Sequence, residues 1–361
     1  MSSELTFGRR RFLGTSMIAI AAGRLGMLGS AAQVSCADSG SSREDALPPF
    51  DGATGWLNSP AFTPTALRGK VVLVQFWTYT CINWLRTAPY VRAWAERYEG
   101  HGLVVVGVHS PEFEFEKEHA NVQRMAKALQ VDYPIAIDSD HAIWRAFNNA
   151  YWPALYIADA KGTIRYHQFG EGKYDESERM IQRLLTETGR NNVGQDLTTV
   201  DGRGLEAPAD WSSLRSPENY VGYDRTENFA SPGGALNAER HVYAVPERLT
   251  LNQWALSGDW TMHPQATVLN AAPGRIAYRF HARDLHLVMG TAANRPVPFH
   301  VRIDGQEPGA AHGLDTDASG NGTVNEPRLY QLVRQPRPIR ERTFEIEFAG
   351  PGVETFAFTF G

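Results

Sequence analysis

Residues 71–90 read VVLVQFWTYTCINWLRTAPY. The first seven, 71–77, form a short apolar run rich in β-branched and aromatic side chains, which predicts a strand buried on both faces. Thr78, Tyr79 and Thr80 break the run, and a helix is expected to follow Cys81. That order places Cys81 at a helix N-terminus, where unpaired backbone N–H groups and the positive end of the dipole favour a thiolate. A lowered thiol pKa is therefore expected, which is what a nucleophilic cysteine needs at neutral pH. The plainer alternative is a small cysteine buried for packing.

Outward from this stretch, the pattern predicts strands over 103–108, 134–138, 154–158 and 164–169. Helical periods cover 90–98, 122–129 and 177–186. Strands alternating with helices mean an α/β sheet. Residues 191–217 are rich in Gly, Asp, Ser and Pro, lack an apolar period and read as a linker. Beyond it, short apolar runs at 276–281, 285–289, 299–303, 329–333, 344–348 and 355–360 are separated by turn residues, which predicts an all-β jelly roll or sandwich. The expected organisation is an α/β domain over 47–190, a linker over 191–217 and a β domain over 218–361. Each domain has its own strands to bury, so independent folding is expected.

Composition narrows the function. Of 361 residues, 42% are hydrophobic and 21% charged, enough for ordinary cores. The net charge of −5 argues against a nucleic-acid binder. Two cysteines, Cys36 and Cys81, exclude a disulfide scaffold and a cysteine-based zinc site. No metal cluster and no cofactor is read from the sequence.

The first 37 residues read as an export signal. Arg9, Arg10 and Arg11 precede Phe12 and Leu13, an apolar run follows from Met17 to Ala22, and small residues close the segment. The paired arginines resemble the twin-arginine type. Cleavage after Ala32 or Ala37 would leave a periplasmic or secreted protein. Lipid anchoring at Cys36 is disfavoured by Gln33, where a lipobox wants Leu or Val.

With these residues in view, the chain resembles the thioredoxin fold, within it the TlpA/ResA group, and most closely the thioredoxin-like portion of DipZ proteins. The match is carried by QFWTYTCINWLRTAPY (75–90), GVHSPEF (107–113), WRAF (144–147), YWPALY (151–156) and FGEG (169–172). The β-rich tail resembles the carbohydrate-binding-module jelly roll of DipZ proteins. The resemblance implies that Cys81 is the attacking cysteine, in a motif flanked by Trp77, Trp84 and Pro89. It implies that Glu112 is an acid–base carboxylate beside it, and that Pro153, after Trp152, is a cis-proline lining the substrate site. Gln75 stands where thioredoxin carries a buried acid.

One departure outweighs the matches. The family motif is Cys-x-x-Cys, and here it reads Cys81, Ile82, Asn83, Trp84. Trp84 cannot resolve a mixed disulfide, so an outside thiol must. DipZ proteins also resemble fusions to a transmembrane electron donor; with none in this sequence, the reductant is expected to be a separate protein or a small thiol. The implied activity is thiol–disulfide or antioxidant redoxin chemistry with one cysteine. The alternatives are a retired scaffold that binds glycan or protein, and a monothiol peroxidase. The last is suggested weakly by Thr78 three residues before Cys81.

The tail offers two further features. Asp315 to Glu326 follows calcium-loop spacing, although its flanks favour a glycine-rich loop. Tyr220, Tyr223, Trp254, Trp260, Tyr278 and Tyr330 could form a sugar-stacking face, although aromatics in a sandwich are more often core.

Overall fold

A computed structural model describes residues 46–63, 65–189, 192–291 and 295–361. The export signal and Cys36 lie outside the described residues. Among the described residues, no helix is long and apolar enough to cross a membrane.

The first half contains strands β1 (Gly55–Leu57), β2 (Val71–Trp77), β3 (Leu103–His109), β4 (Ile135–Ile137), β5 (Ala154–Ala158) and β6 (Ile164–Phe169). Its helices are α1 (Ile82–Tyr98), α2 (His119–Ala128), α3 (Ala142–Ala146) and α4 (Tyr174–Glu187). The sheet order is β1-β4-β3-β2-β5-β6. β2, β3 and β4 run parallel, and β5 runs antiparallel to β2. This is the expected thioredoxin-like α/β fold. β2 is central, so both its faces are buried and its sequence is continuously apolar apart from Gln75. Val71, Leu73 and Trp77 face the α1/α4 side, and Val72, Val74 and Phe76 face the other. The short β1 and α3 escaped the sequence reading because three and five residues show no resolvable period.

The second half is all-β, as expected. It contains β7 (Asn219–Tyr220), β8 (Arg240–Tyr243), β9 (Trp254–Met262), β10 (Thr267–Phe280), β11 (Asp284–Thr291), β12 (Val297–Ile303), β13 (Asn321–Val324), β14 (Arg328–Arg334), β15 (Arg342–Phe348) and β16 (Val353–Phe360). All ten join one antiparallel sheet, through the path β13-β12-β15-β10-β16-β11-β14 with β9 beside β10, β8 beside β9 and β7 beside β16. β9 and the first part of β10 carry turn-like residues in their interiors, which hid them. Gly258 (φ 97°) lies against the Pro273 carbonyl, where a Cβ would sit 2.7 Å from that oxygen, and the ladder shifts register there. Asp304 and Gly305 form a tight turn, both with positive φ.

Two sequence expectations meet different outcomes in this half. Trp254, Trp260, Tyr278 and Tyr330 are fully buried and build core rather than a sugar-stacking face, while Tyr220 and Tyr223 are half-buried. In the loop with calcium-like spacing, Asp315 is taken up by Arg328 and the Gln331 N–H, and Asp317 by Asn321.

The linker is a strap. Thr198 donates its N–H and hydroxyl to the buried Glu178 of α4 (2.8 and 2.6 Å). Glu206 pairs with Arg92 of α1 at 2.8 Å. On the other side, Arg334 and Arg283 donate to the Gly204 and Pro208 carbonyls. The halves also share a core. Ala266, Val288, Leu329, Phe356 and Ala357 belong to the buried cluster that contains Trp77, Trp84 and Leu85. Over the described residues the two halves that the sequence separates thus share a buried cluster as well as the strap. Phe356→Ala should destabilise the whole chain by ~3–5 kcal/mol, the cost of emptying a buried phenyl site. Tryptophan fluorescence and far-ultraviolet circular dichroism should report one shared transition moving down together; two separated transitions would refute the shared core.

Candidate active site around Cys81

Cys81 is the N-cap residue of α1, in extended conformation (φ −77°, ψ 111°). Its carbonyl accepts the Leu85 N–H, and its own N–H reaches back to Thr78. The end of β2 thus delivers the cysteine to the open end of the helix, as the sequence predicts. Trp77 closes β2 and is fully buried. Pro89 is buried inside α1, where its ring removes one rung of the helix ladder.

Trp84 occupies the second-thiol position and is fully buried. Its ring stacks on Trp77 with centroids 4.3 Å apart. Trp77 meets His109 edge-on at 4.9 Å, and His109 stacks on Tyr79 at 5.6 Å. Burial pushes His109 down to about 3, so it is a neutral member of an aromatic stack. The site behind Cys81 is packed, and Trp84 is a structural part of it.

The residues that the resemblance assigns to the substrate side lie on the neighbouring loop. The Trp152–Pro153 bond is cis, as the resemblance implies. Trp152 donates its indole N–H to the Ser110 carbonyl (3.0 Å) and packs on Trp144. Ser110 in turn donates to Asp138 and to the Trp77 carbonyl through its hydroxyl and N–H. The proline loop, the end of β3 and the end of β2 are therefore one connected frame. Gln75 is buried and accepts the Tyr133 hydroxyl at 2.8 Å. Thr78 is also fully buried.

The segment after β3 carries two carboxylates with different tasks. Glu116, which the sequence reading passed over, is fully buried. It accepts the Thr80 hydroxyl (2.7 Å) and the N–H groups of Glu112 and Phe113 (2.7 and 3.0 Å). It thereby ties the residue before Cys81 to the loop that carries Glu112. Burial outweighs these donors and pushes its carboxyl up to about 7. Its only sequence signal is the Glu-rich stretch 112–118. Glu112 is half-buried and meets residues of the C-terminal half: it accepts the Tyr220 hydroxyl and pairs with Arg225 at 3.1 Å.

The thiol itself departs from expectation. Cys81 keeps partial solvent access, yet burial pushes its pKa well above the ordinary value, and the Glu218 and Glu112 charges push the same way. The N–H groups of Trp84 and Asn83 act in the expected downward direction but lose to desolvation. The sequence argument weighed the helix terminus alone; the C-terminal half, which brings Glu218, was invisible to it.

Comparisons with known proteins agree with this architecture. Residues 45–167 match the model of the AhpC/TSA family, and residues 216–361 that of the thioredoxin like C-terminal domain. Protein DipZ of Mycobacterium tuberculosis is 35% identical over 331 residues, which cover 90% of this chain and 44% of that protein. The chain thus spans less than half the length of DipZ. Thiol-disulfide oxidoreductase YkuV of Bacillus subtilis is 32% identical over 142 residues, 39% of this chain and 95% of that protein. A solution structure of a thioredoxin-like protein in the oxidized form is 31% identical, covers 40% of this chain and 99% of its own, and has a TM-score of 0.37.

Glu116 makes a prediction about stability. Its carboxyl sits near 7 in the folded chain and at 4.5 as the free side chain, so the folded state holds the proton more tightly. The stability this provides is full below pH 4.5 and is lost as pH rises through about 7. Relative to Glu116→Gln, the parent chain should lose stability on the order of 3 kcal/mol between pH 4.5 and 8 in denaturant titrations. Parallel pH curves for the two proteins would show that Glu116 is ionised throughout.

Proposed function

The chain belongs to the thioredoxin-like redoxin (AhpC/TSA) family, and we propose that it performs thiol–disulfide exchange through Cys81 as a lone nucleophile in an exported protein. The observation that carries this reading is the placement of Cys81 at the N-cap of α1 within a frame that also holds the cis Pro153 loop and Glu112. An extended substrate segment would pair with backbone at Pro153 and bring its disulfide to the sulfur.

The chemistry balances with one protein thiol. Glu112 takes the Cys81 proton. The thiolate attacks one substrate sulfur, the Cys81–substrate bond forms, and the second substrate sulfur leaves as a thiolate. With Trp84 in the resolving position, a small thiol or a partner's thiolate attacks the mixed disulfide. That step frees Cys81 and carries the substrate sulfur off in a new disulfide. Export rests on the sequence pattern of residues 1–37. The peroxidase alternative gains nothing from Thr78, which is buried beneath the site.

Incubated with a protein disulfide, the full chain should accumulate a mixed disulfide on Cys81, visible by intact mass and absent in Cys81→Ser. Multiple-turnover reduction of insulin should be very slow. Trp84→Cys should raise it by orders of magnitude, because an intramolecular thiol replaces a bimolecular step. That substitution empties a buried indole site at a cost of ~3–5 kcal/mol, so its turnover is to be read at low temperature alongside a folding check. No Cys81-dependent adduct at any pH would leave the scaffold a retired one.

A further inference from the structure

Two side chains from the start of the C-terminal domain, Tyr220 and Arg225, meet Glu112, and a third, Glu218, joins them through Tyr220. The Tyr220 hydroxyl donates to Glu112 and also lies 3.2 Å from Glu218. The Arg225 guanidinium pairs with Glu112 at 3.1 Å and stacks 3.3 Å above the Tyr220 ring. Tyr220 and Cys81 pack against the same apolar cluster, and the Tyr220 ring meets Phe113 at 6.3 Å. Glu218, Tyr220 and Arg225 all lie outside the thioredoxin-like half, and Glu112 and Tyr220 are separated by 108 positions.

A phenol has one proton to donate. Two carboxylates converge on that hydroxyl with one guanidinium to balance them. Tyr220 serves Glu112, so the Glu218 contact is satisfied only when Glu218 itself carries a proton. When it ionises, the group gains a second negative charge beside Glu112, opposed by Arg225. We propose that the C-terminal domain forms part of the thiol site, with Tyr220 and Arg225 as positioning residues for Glu112 and Glu218 as a charge that restrains Cys81. The proposal rests on reading Cys81 as a reactive thiol.

The direction of each effect follows. Glu218 is pushed above the usual carboxylate range by desolvation and by Glu112, while the residue as a whole keeps its solvent access. Its charge and that of Glu112 both oppose thiolate formation at Cys81. Arg225 compensates both carboxylates. The groups around the sulfur are thus Glu218, Tyr220 and Arg225 from the C-terminal domain, Glu112 from the segment after β3 with Glu116 behind it, and the N–H groups of Asn83 and Trp84 from α1.

The test is the rate of Cys81 alkylation by iodoacetamide against pH, on the full chain carrying Cys36→Ser. Glu218→Gln removes the charge and keeps a donor for Tyr220. Its midpoint should fall by ~0.5 pH unit or more, about threefold more thiolate at fixed pH on the acid side. Arg225→Gln leaves the carboxylates uncompensated, and its midpoint should rise by a similar amount. Loosened packing would relieve the desolvation of the sulfur and lower the midpoint in both variants, so opposite midpoint shifts are the signature. Unmoved midpoints, or shifts of the same sign, in variants with parental circular dichroism would overturn the proposal. Alkylation needs no disulfide exchange. Opposite shifts without mixed-disulfide formation would keep this coupling and sink the exchange reading; a mixed disulfide with fixed midpoints would do the reverse.

Discussion

Phe356 of β16 sits against both Phe113 and Phe115, with ring centroids 5.2 and 4.8 Å away. This wedge of three rings is the contact on which the site depends. It fixes the short segment after β3 between the thioredoxin-like sheet and the C-terminal sheet. Held there, Glu116 points inward to Thr80, and Glu112 points across to Tyr220 and Arg225. Without the wedge, the segment would be a surface loop with two solvated carboxylates. Aromatic pairs of this kind bury large areas and favour defined geometries, so they order the backbone that carries them.

The same closeness explains the thiol. A helix N-terminus lowers a cysteine pKa when the thiolate can also be hydrated or paired with a cation. Here the sulfur faces carboxylates and aromatic carbon, and the cation at the site, Arg225, is already committed to Glu112. On the proposed reading Cys81 is therefore a guarded nucleophile. Trp84 adds to the guarding from below, since its stack on Trp77 fills the space in which a resolving sulfur would otherwise move.

Much of this was legible in the sequence. The continuous apolar run of β2 followed by Thr78, Tyr79 and Thr80 located Cys81 at a helix start, and the turn-separated runs beyond 218 gave the all-β half. Both rest on local patterns of hydrophobicity and turn chemistry. What stayed hidden was long-range. The residues 192–217 show no apolar period because their apolar anchors, Val193, Leu205 and Leu214, are isolated, and Thr198, Glu206 and backbone carbonyls supply the other attachments. Glu116 looks like any charge in an acidic stretch until the fold buries it. Tyr220 and Arg225 lie in a segment with no motif, and their meaning comes only from the residue they meet 108 and 113 positions earlier.

A joined architecture also changes what the C-terminal half is for. A separate module attached by a free tether would influence Cys81 only by raising the local concentration of whatever it binds. A half that shares a core with α1 and supplies three side chains to the site can act on the thiol directly, because any motion of β7 or β16 moves Tyr220 or Phe356 with it. Trp254, Trp260, Tyr278 and Tyr330, four of the aromatics a binding face would need, are spent inside the sheet. The physical case thus favours a C-terminal domain that governs access to Cys81 and the charge around it. Through Glu218 the C-terminal half sets the charge that the Cys81 thiolate must form against, so its position and the state of the sulfur are linked.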